Sequence, residues 1–227
     1  MSAPNVTYED NHLLIVDKPS GWLVQGDETG DDTLTDWATA YIRKKYNKPG
    51  NVFCQPCHRL DRPVSGLVTF ARTSKALERM NKLFRDHEIV KSYLAIVEGT
   101  PRFAENDLVH WLDKDKKRNI AKAHDQPKGK AKRAFLSYRM LASHGKVSLL
   151  EIKPKTGRPH QIRVQMKANE TPIKGDLKYG FPKPNQDKSI SLHAFKLEFI
   201  HPVKKEALKV TSKPKWPDFQ AFINELD

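Results

Sequence analysis

The amino-acid sequence predicts an α+β protein with a largely antiparallel sheet and flanking helices. Short runs of β-branched and aromatic residues are bounded by turn residues, which is typical of strands. Only a few segments place apolar residues at helical spacing, and they do not alternate regularly with the strands as βαβ units would. The 227 residues suit one domain, residues 1–227, and are enough for a substantial core.

The individual elements follow from the same patterns. Strands are predicted in a hairpin over residues 5–19 and at residues 67–71, 93–97, 135–141, 147–152, 190–200 and 208–211. Helices are predicted over residues 33–46 and 74–86, from Pro159 onward, and over residues 216–226 with Pro217 in the first turn. Asp31 or Asp32 is the expected N-cap of the first helix and Thr73 that of the second, because their side chains accept hydrogen bonds from free N–H groups.

The charge balance indicates a polyanionic partner. The chain has 40 Lys and Arg against 27 Asp and Glu, a net charge of +13, which fits RNA, DNA or an anionic membrane surface. Residues 113–133 alone hold nine Lys or Arg and three acids, and we expect a basic loop that is either solvated or clamps a phosphate backbone. No apolar run approaches the ~18 residues of a spanning helix, and residues 1–7 lack a signal pattern. A cytoplasmic location is therefore expected, without membrane contact.

The two cysteines form the pattern C-x-x-C-H at Cys54, Cys57 and His58. This spacing is that of covalent haem attachment, which the absence of an export signal argues against. It is also half of a zinc site, but no second cysteine pair exists to complete the ligands, and only a His-completed site stays open. We expect two reduced thiols and no metal.

The most informative segment is HRLDRPVSGL at residues 58–67. Asp61 lies between two arginines and just before a turn that enters an apolar strand. Neighbouring positive charge favours the ionised carboxylate, which can serve as a nucleophile or a base. A structural Asp that caps a turn and pairs with Arg is the alternative.

This segment resembles the HRLDxxTSG signature of the RluA-type pseudouridine synthases, with Val64 where Thr is usual. Further segments resemble that family in the expected order, namely KSYLAIVEG at 91–99, KTGRPHQIRV at 155–164, GD at 175–176 with YG at 179–180, LHA at 192–194 and HP at 201–202. The resemblance extends from about Tyr8 to about Val210. Because valine has no hydroxyl group, Val64 cannot make the side-chain hydrogen bonds near Asp61 that the usual Thr could make.

The resemblance implies a fold and an activity. The fold is a long mixed sheet with the active site in a central cleft, here without the separate N-terminal RNA-binding domain of many relatives. The activity is conversion of uridine to pseudouridine in tRNA or ribosomal RNA, by a monomer, with no cofactor and no metal. Two alternatives are a non-catalytic RNA-binding protein that kept the fold and a nuclease that uses His58 or His160 with Asp61.

The resemblance also implies roles for particular residues. Asp61 acts at the ribose, either attacking C1′ or removing a proton from C2′, as carboxylates act at oxocarbenium-like centres in glycosidases. Arg163 is the buried arginine that pairs with this acid, and Tyr93 stacks on the uracil. Arg59 fills the space that the extruded uridine leaves.

Other basic residues are candidates for contacts with the RNA backbone. Arg158 lies near a predicted helix start, where phosphate binding is favourable. The remaining candidates are Arg62, Lys114, Lys116, Lys117 and Arg118. His58, His160 and His193 are interpreted as structural hydrogen-bonding residues rather than acid–base groups.

Overall fold

A computed structural model describes residues 2–26, 30–115 and 117–225, and it leaves the side chains of residues 223–225 outside that description. The chain divides into two compact units, Met1–Val90 with Ala194–Lys213, and Lys91–His193 with Pro214–Asp227. The strand pairs within each unit are antiparallel, and an isolated parallel bridge joins Leu23 to Thr33. The predicted α+β class with a mixed, largely antiparallel sheet is confirmed.

The described residues of the first unit form six strands. They are β1 (Asn5–Glu9), β2 (Leu13–Lys18), β3 (Gln55–Pro56), β4 (Ser65–Ala71), β10 (Leu192–Ile200, with this unit holding its part from Ala194) and β11 (Ala207–Thr211). β2 lies between β1 and β4, β3 pairs with the end of β4, and β11 pairs with β10. The predicted hairpin of residues 5–19 is β1 and β2, and the predicted strand of residues 67–71 is β4.

Two helices complete this unit. Helix α1 (Leu34–Lys45) is capped by Thr33, whose side chain accepts from the N–H of Asp36 while the Asp36 carboxylate accepts from the N–H of Thr33. The expected cap at Asp31 or Asp32 is therefore wrong, because this reciprocal capping box satisfies two backbone donors at once. Helix α2 (Ser74–Arg85) has the predicted Thr73 cap and packs Ala76 and Met80 into the core.

Gly66, in the motif around Asp61, is required by close packing. Its φ of +112° is a conformation that side chains disfavour. A Cβ at this position would lie 2.5 Å from both the backbone N and the carbonyl O of Ala194 on β10. The glycine thus allows β4 to pack directly against β10. This packing fixes the position at which the Asp61 turn ends.

The second unit contains five strands in the order β5-β9-β8-β6-β7. They are β5 (Val90–Glu98), β6 (Glu105–Asp115), β7 (Ile120–His124), β8 (Lys132–His144) and β9 (Val147–Pro154). Strands were predicted within β5, β8 and β9, and their positions are confirmed. β6 and β7 were not predicted.

Part of the basic stretch at residues 113–133 forms a hairpin that the sequence did not predict, whereas residues 125–131 lie outside any strand or helix. β6 pairs with β7 from Trp111↔His124 to Asp115↔Ile120. Leu112 and Ala121 are buried on one face of this hairpin, whereas Asp113 and Lys122 are exposed on the other. This alternation has a period of two and supports strands, although the many charges obscure it in the sequence.

Helix α3 (Gln161–Ala168) begins two residues after the predicted start at Pro159. His160 precedes it with a left-handed φ of +54°, so the chain changes direction there before the helix begins. Residues 161–166 are all buried. Two 3₁₀ helices follow, Leu177–Tyr179 and Pro217–Glu225, and the second takes the place of the predicted terminal helix with Pro217 at its start.

Candidate active site

Asp61 lies on a tight turn directly before β4. The backbone N–H of Val64 donates a hydrogen bond to the carbonyl oxygen of Asp61 over 3.0 Å, which closes the turn. Val64 is buried, whereas the Asp61 side chain is partly exposed. The carboxylate therefore stands on a fixed backbone at a strand end, as the sequence predicts.

The loop after β2 holds this turn through its carbonyl groups. The N–H of Gly21 donates to the carbonyl of Arg62 over 2.8 Å, and the Ser20 hydroxyl donates to the carbonyl of Pro63 over 3.0 Å. Gly21 has a φ of +90°, which glycine adopts without strain. The KPSG sequence of residues 18–21 and the Asp61 turn thus form one hydrogen-bonded assembly.

Lys18 is fully buried beneath this assembly. Its ammonium group donates to the carbonyl oxygens of Pro19, Trp22 and Arg62 over 3.1, 2.9 and 3.2 Å. Burial lowers the pKa of Lys18 to about 7, and the negative charge of Asp61 partly opposes this shift. Sequence reasoning missed Lys18 as a site residue, although a lysine at the end of the apolar strand LLIVDK was a signal.

The two arginines beside Asp61 differ in their surroundings. Arg59 is exposed. Arg62 forms an ion pair with Asp31 over 2.8 Å, and its Nε donates to the Gly21 carbonyl over 3.1 Å. Because both members of the ion pair are well exposed, it positions the Arg62 side chain but contributes little stability.

His58 has a structural role in this unit. Its Nε2 accepts a hydrogen bond from the backbone N–H of Thr69 over 3.0 Å, so the proton of the neutral ring is on Nδ1. The ring packs against Phe84 with 4.8 Å between centroids. This arrangement supports the structural interpretation, since the Nε2 lone pair is already used.

Tyr93 lies on β5, paired with Ile152 of β9. Its neighbours Ser92 and Leu94 are buried on the opposite face of the strand, while the Tyr93 side chain is partly exposed. Lys91 shares the face of Tyr93, and burial lowers its pKa. The strand therefore presents an aromatic ring and a lysine on the same side.

Arg163 lies on α3 and is held by Asp176. Its Nε donates to Oδ2 of Asp176 over 2.7 Å and its Nη2 to Oδ1 over 2.8 Å. Both side chains are buried, at 5% and 1% exposure, and the geometry is a two-pronged guanidinium–carboxylate pair. This partner was not identified from the sequence, although the GD motif at residues 175–176 contained it. The predicted pairing of Arg163 with Asp61 stays a prediction.

Tyr179 connects α3 to the basic hairpin. The Arg163 guanidinium lies over its ring at 4.9 Å from the centroid. The Tyr179 hydroxyl accepts from the N–H of Ala121 on β7 over 2.8 Å and is hydrogen-bonded to Nδ1 of His160 over 2.7 Å. The ring is almost completely buried. Asp176, Tyr179 and His160 together restrict the orientation of Arg163 and of the α3 start.

Gln161 fixes the loop that carries Arg158. The Gln161 carbonyl oxygen accepts from the Thr156 hydroxyl over 2.7 Å and from the Arg158 N–H over 3.0 Å. Its amide donates to the carbonyl of Phe135 on β8 over 3.1 Å. The Nε of Arg158 then reaches the carbonyl of Arg133 over 3.2 Å, which places its guanidinium beside the basic strand β8.

The remaining basic candidates belong to the hairpin of β6 and β7. Lys114 pairs with Ala121 across the hairpin, and Lys117 and Arg118 are exposed in its turn. Lys116 lies outside the described residues. The structure therefore places Asp61, Arg59 and Arg62 in the first unit, and the other described candidates in the second.

Both cysteines are free thiols, as expected from the sequence. Burial raises the pKa of Cys54 and of Cys57 to about 12, so neither is a reactive thiolate near neutral pH. Across the part of the chain that is described, no three His, Cys, Asp or Glu residues are grouped to hold a metal ion, and no helix is long and apolar enough to cross a membrane.

Solved structures define the class of fold. The human RNA pseudouridylate synthase domain containing 4 matches with a TM-score of 0.77 at 24% identity, covering 93% of this chain and 89% of that one. The human RNA pseudouridylate synthase domain containing 1 matches with a TM-score of 0.75 at 23% identity, covering 95% and 85%. The chain therefore has the pseudouridine synthase fold.

Sequence comparison then gives the family. The model of the RNA pseudouridylate synthase family matches residues 12–168, which include Asp61, Tyr93 and Arg163. The tRNA pseudouridine synthase C of Haemophilus ducreyi is 38% identical over 216 residues, covering 87% of this chain and 86% of that protein. This chain belongs to the RNA pseudouridylate synthase family, whose relatives are isomerases that act on RNA.

Relatives are named for different RNAs. The dual-specificity RNA pseudouridine synthase RluA of Haemophilus influenzae is 33% identical over 220 residues, covering 92% of both proteins. The ribosomal large subunit pseudouridine synthase D of Borreliella burgdorferi is 35% identical over 202 residues, covering 85% of this chain. The chain spans only 60% of the length of that relative.

Proposed function

We propose that this chain converts uridine to pseudouridine in tRNA or ribosomal RNA with Asp61 as the group that acts at the ribose. The C1′–N1 bond breaks, the uracil turns over, and a C5–C1′ bond forms. The proton on C5 is released and N1 is protonated, so the product is an isomer of the substrate. No electron acceptor and no second substrate are required, and we propose that neither a cofactor nor a metal takes part.

The Asp61 turn is the observation that carries this proposal. A partly exposed carboxylate stands on a turn whose carbonyl groups are bound by Lys18, Ser20 and Gly21. The ionised carboxylate is the form that would attack C1′ or take the C2′ proton, and its charge acts on the buried Lys18 ammonium.

Arg163 and Tyr93 have supporting roles in the proposal. Arg163 is proposed to position the Asp61 carboxylate. Asp176 and Tyr179 fix the direction of the Arg163 guanidinium for this role. Tyr93 offers a partly exposed ring on which the detached uracil can stack. Uridine must leave its stack to reach these groups, and the exposed Arg59 can occupy the space that it leaves.

The RNA backbone is proposed to contact the basic surface. The residues proposed for these contacts are Arg62, Arg158, Lys114, Lys116, Lys117 and Arg118. Each phosphate contact releases counterions, so binding should weaken with salt at a logarithmic slope of about −0.7 per contact on single strands. The names of the relatives point to tRNA and to large-subunit ribosomal RNA as substrates. Cytoplasmic action by a monomer is the setting that we propose with these substrates.

A comparison of Asp61→Asn with Asp125→Asn tests the proposal. The Asp125 side chain is 94% exposed, so the second variant removes the same charge from the surface. Transcripts of tRNA and ribosomal RNA are incubated with each protein, and their nucleosides are analysed by chromatography and mass spectrometry. We expect Asp61→Asn to lose at least about a hundredfold in rate while its RNA affinity stays within severalfold. Asp125→Asn should match wild type.

Other outcomes would support the alternatives. Wild type that binds RNA but forms no pseudouridine would be a non-catalytic RNA-binding protein. Shortened RNA would indicate a nuclease, although His58 already accepts a backbone hydrogen bond at Nε2. Full activity of Asp61→Asn would falsify the role given to this carboxylate.

A further inference from the structure

A pocket of about 390 Å³ lies in the second unit, between β7, α3 and the 3₁₀ helix Leu177–Tyr179. Its apolar lining includes Ile120, Ala123, Val164 and Ala168 together with Tyr179. This volume is within the range of small-ligand sites. The roles given above to Asp61, Arg163 and Tyr93 do not use this pocket.

Cationic groups surround the apolar part of this pocket. Lys122, Lys167 and Lys178 line it and are exposed. The ring of His124, which is paired with the Asp113 carboxylate over 3.3 Å, completes the polar lining. No carboxylate is among the described residues that line it. The Lys178 ammonium is partly fixed by a hydrogen bond to the carbonyl of Asn119 over 3.3 Å. Three lysines therefore border an apolar cavity.

A second pocket in the same unit lacks this combination. It has a volume of about 430 Å³ and is lined by Lys174, Lys215 and Trp216, but also by Asp187 and Asp218. The Lys174 ammonium is paired with the Asp218 carboxylate, so part of its positive charge is neutralised. The mixed positive and negative charges of this pocket do not favour a polyanion. The lysines that line the first pocket do favour one.

The ligand that fits the first pocket has a compact apolar part and a negative charge beside it. A single nucleotide has both, since the base can lie on the apolar lining while its phosphate meets the lysines. We propose that this pocket binds one unstacked nucleotide of the RNA substrate, distinct from the uridine that Asp61 modifies. This inference rests on the proposed function and adds a second contact point for the RNA.

Filling the pocket tests the inference. Ala168 is the last residue of α3, is exposed, and lines the pocket, so Ala168→Trp blocks the cavity without disturbing the core. Ala104→Trp is the control, because Ala104 is also exposed in this unit but lies outside the pocket. We expect Ala168→Trp to weaken binding of a uridine-containing hairpin RNA by about tenfold, since the tryptophan leaves no room for the nucleotide in the pocket. The control should bind within twofold of wild type.

A direct titration identifies the ligand chemistry. Adenosine 5′-monophosphate, adenosine, inorganic phosphate and a phosphoserine peptide are each added to wild type while backbone amide signals are followed by NMR. We expect the nucleotide to shift the signals of Ala121, Ala123 and Ala168, and to do so at lower concentration than adenosine or phosphate. Equal effects of phosphate and nucleotide, or tighter binding of the peptide, would overturn the inference.

These outcomes separate the inference from the proposed function. If wild type modifies RNA and Ala168→Trp binds that RNA as tightly as wild type does, the pocket assignment alone is refuted. Wild type that forms no pseudouridine would refute the proposed function, whatever the nucleotide titration gives.

Discussion

The ammonium group of Lys18 donates a hydrogen bond to the carbonyl oxygen of Arg62, the residue that follows Asp61, over 3.2 Å. Lys18 is fully buried and also binds the carbonyls of Pro19 and Trp22. Burial of a charge is unfavourable, and here the bonds to three carbonyls and the Asp61 charge offset only part of that cost, so burial still lowers the pKa of Lys18 to about 7. Lys18 therefore helps to fix the position of the turn that carries Asp61.

Substitution of Lys18 by Met should impair catalysis more than RNA binding. Methionine fills a similar volume but provides no donor and no charge. Loss of a charged hydrogen-bond donor costs about 1.5–3 kcal/mol, which corresponds to a roughly tenfold to hundredfold lower kcat if the cost falls on the catalytic turn. Single-turnover rates and RNA Kd are measured beside Lys209→Met, whose lysine is exposed on β11. An unchanged kcat in Lys18→Met would remove Lys18 from the site.

The lowered pKa of Lys18 predicts a pH dependence of stability. The pKa is about 7 in the folded protein and about 10.5 when the lysine is exposed in the unfolded chain. Between these values the unfolded state binds more protons than the native state, so the free energy of unfolding contributed by Lys18 increases with pH. Urea unfolding gives the free energy of unfolding of wild type and of Lys18→Met. From pH 7 toward pH 10, this free energy should increase more for wild type than for the variant. A pH-independent difference would mean that Lys18 has an ordinary pKa.

The Arg163–Asp176 pair predicts a large loss of stability when one partner is removed. Asp176→Asn keeps the shape of the side chain but leaves the buried Arg163 without its counter-charge, and this typically costs about 3–5 kcal/mol. Asp218→Asn removes a carboxylate from the more exposed pair with Lys174 and should cost at most about 1 kcal/mol. Urea denaturation of both variants provides the comparison. Similar losses in the two would show that burial does not set the strength of the Arg163 pair.

Local signals allowed much of the fold to be predicted. Thr73 before the apolar positions of α2, the alternation of Val6 and Tyr8 in β1 and the apolar run of residues 13–16 in β2 are short-range patterns, and all three elements are present. The hairpin of β6 and β7 was missed because its buried positions, such as Leu112 and Ala121, are separated by charged residues that favour a loop assignment. Its burial depends on α3 and on Tyr179, which lie far away in the sequence.

The site was predictable only in part for the same reason. The motif around Asp61 is contiguous, so its turn could be inferred from Pro63, Ser65 and Gly66. The contact of Lys18 with Arg62 spans 44 positions in the chain, and the Arg163–Asp176 pair spans 13 across a helix end and a loop. Sequence spacing does not determine such contacts, because they depend on how the strands and loops pack.

Gly66 provides a steric test of how the Asp61 turn is attached to the sheet. In Gly66→Ala the new Cβ would overlap the backbone of Ala194 at 2.5 Å, and φ of +112° would add strain, so β4 must shift. Gly145→Ala is the matched control, since Gly145 has a positive φ of +61° but no atom within 4 Å of the added Cβ. We expect a cost of about 1–2 kcal/mol for Gly145→Ala, from the left-handed conformation alone, and a cost above about 4 kcal/mol for Gly66→Ala. Urea unfolding gives both values, and single-turnover assays should show a loss of pseudouridine formation in Gly66→Ala but not in Gly145→Ala. Equal stability of the two variants would mean that β4 and β10 have room to separate, and that the glycine is not what holds the Asp61 turn against the sheet.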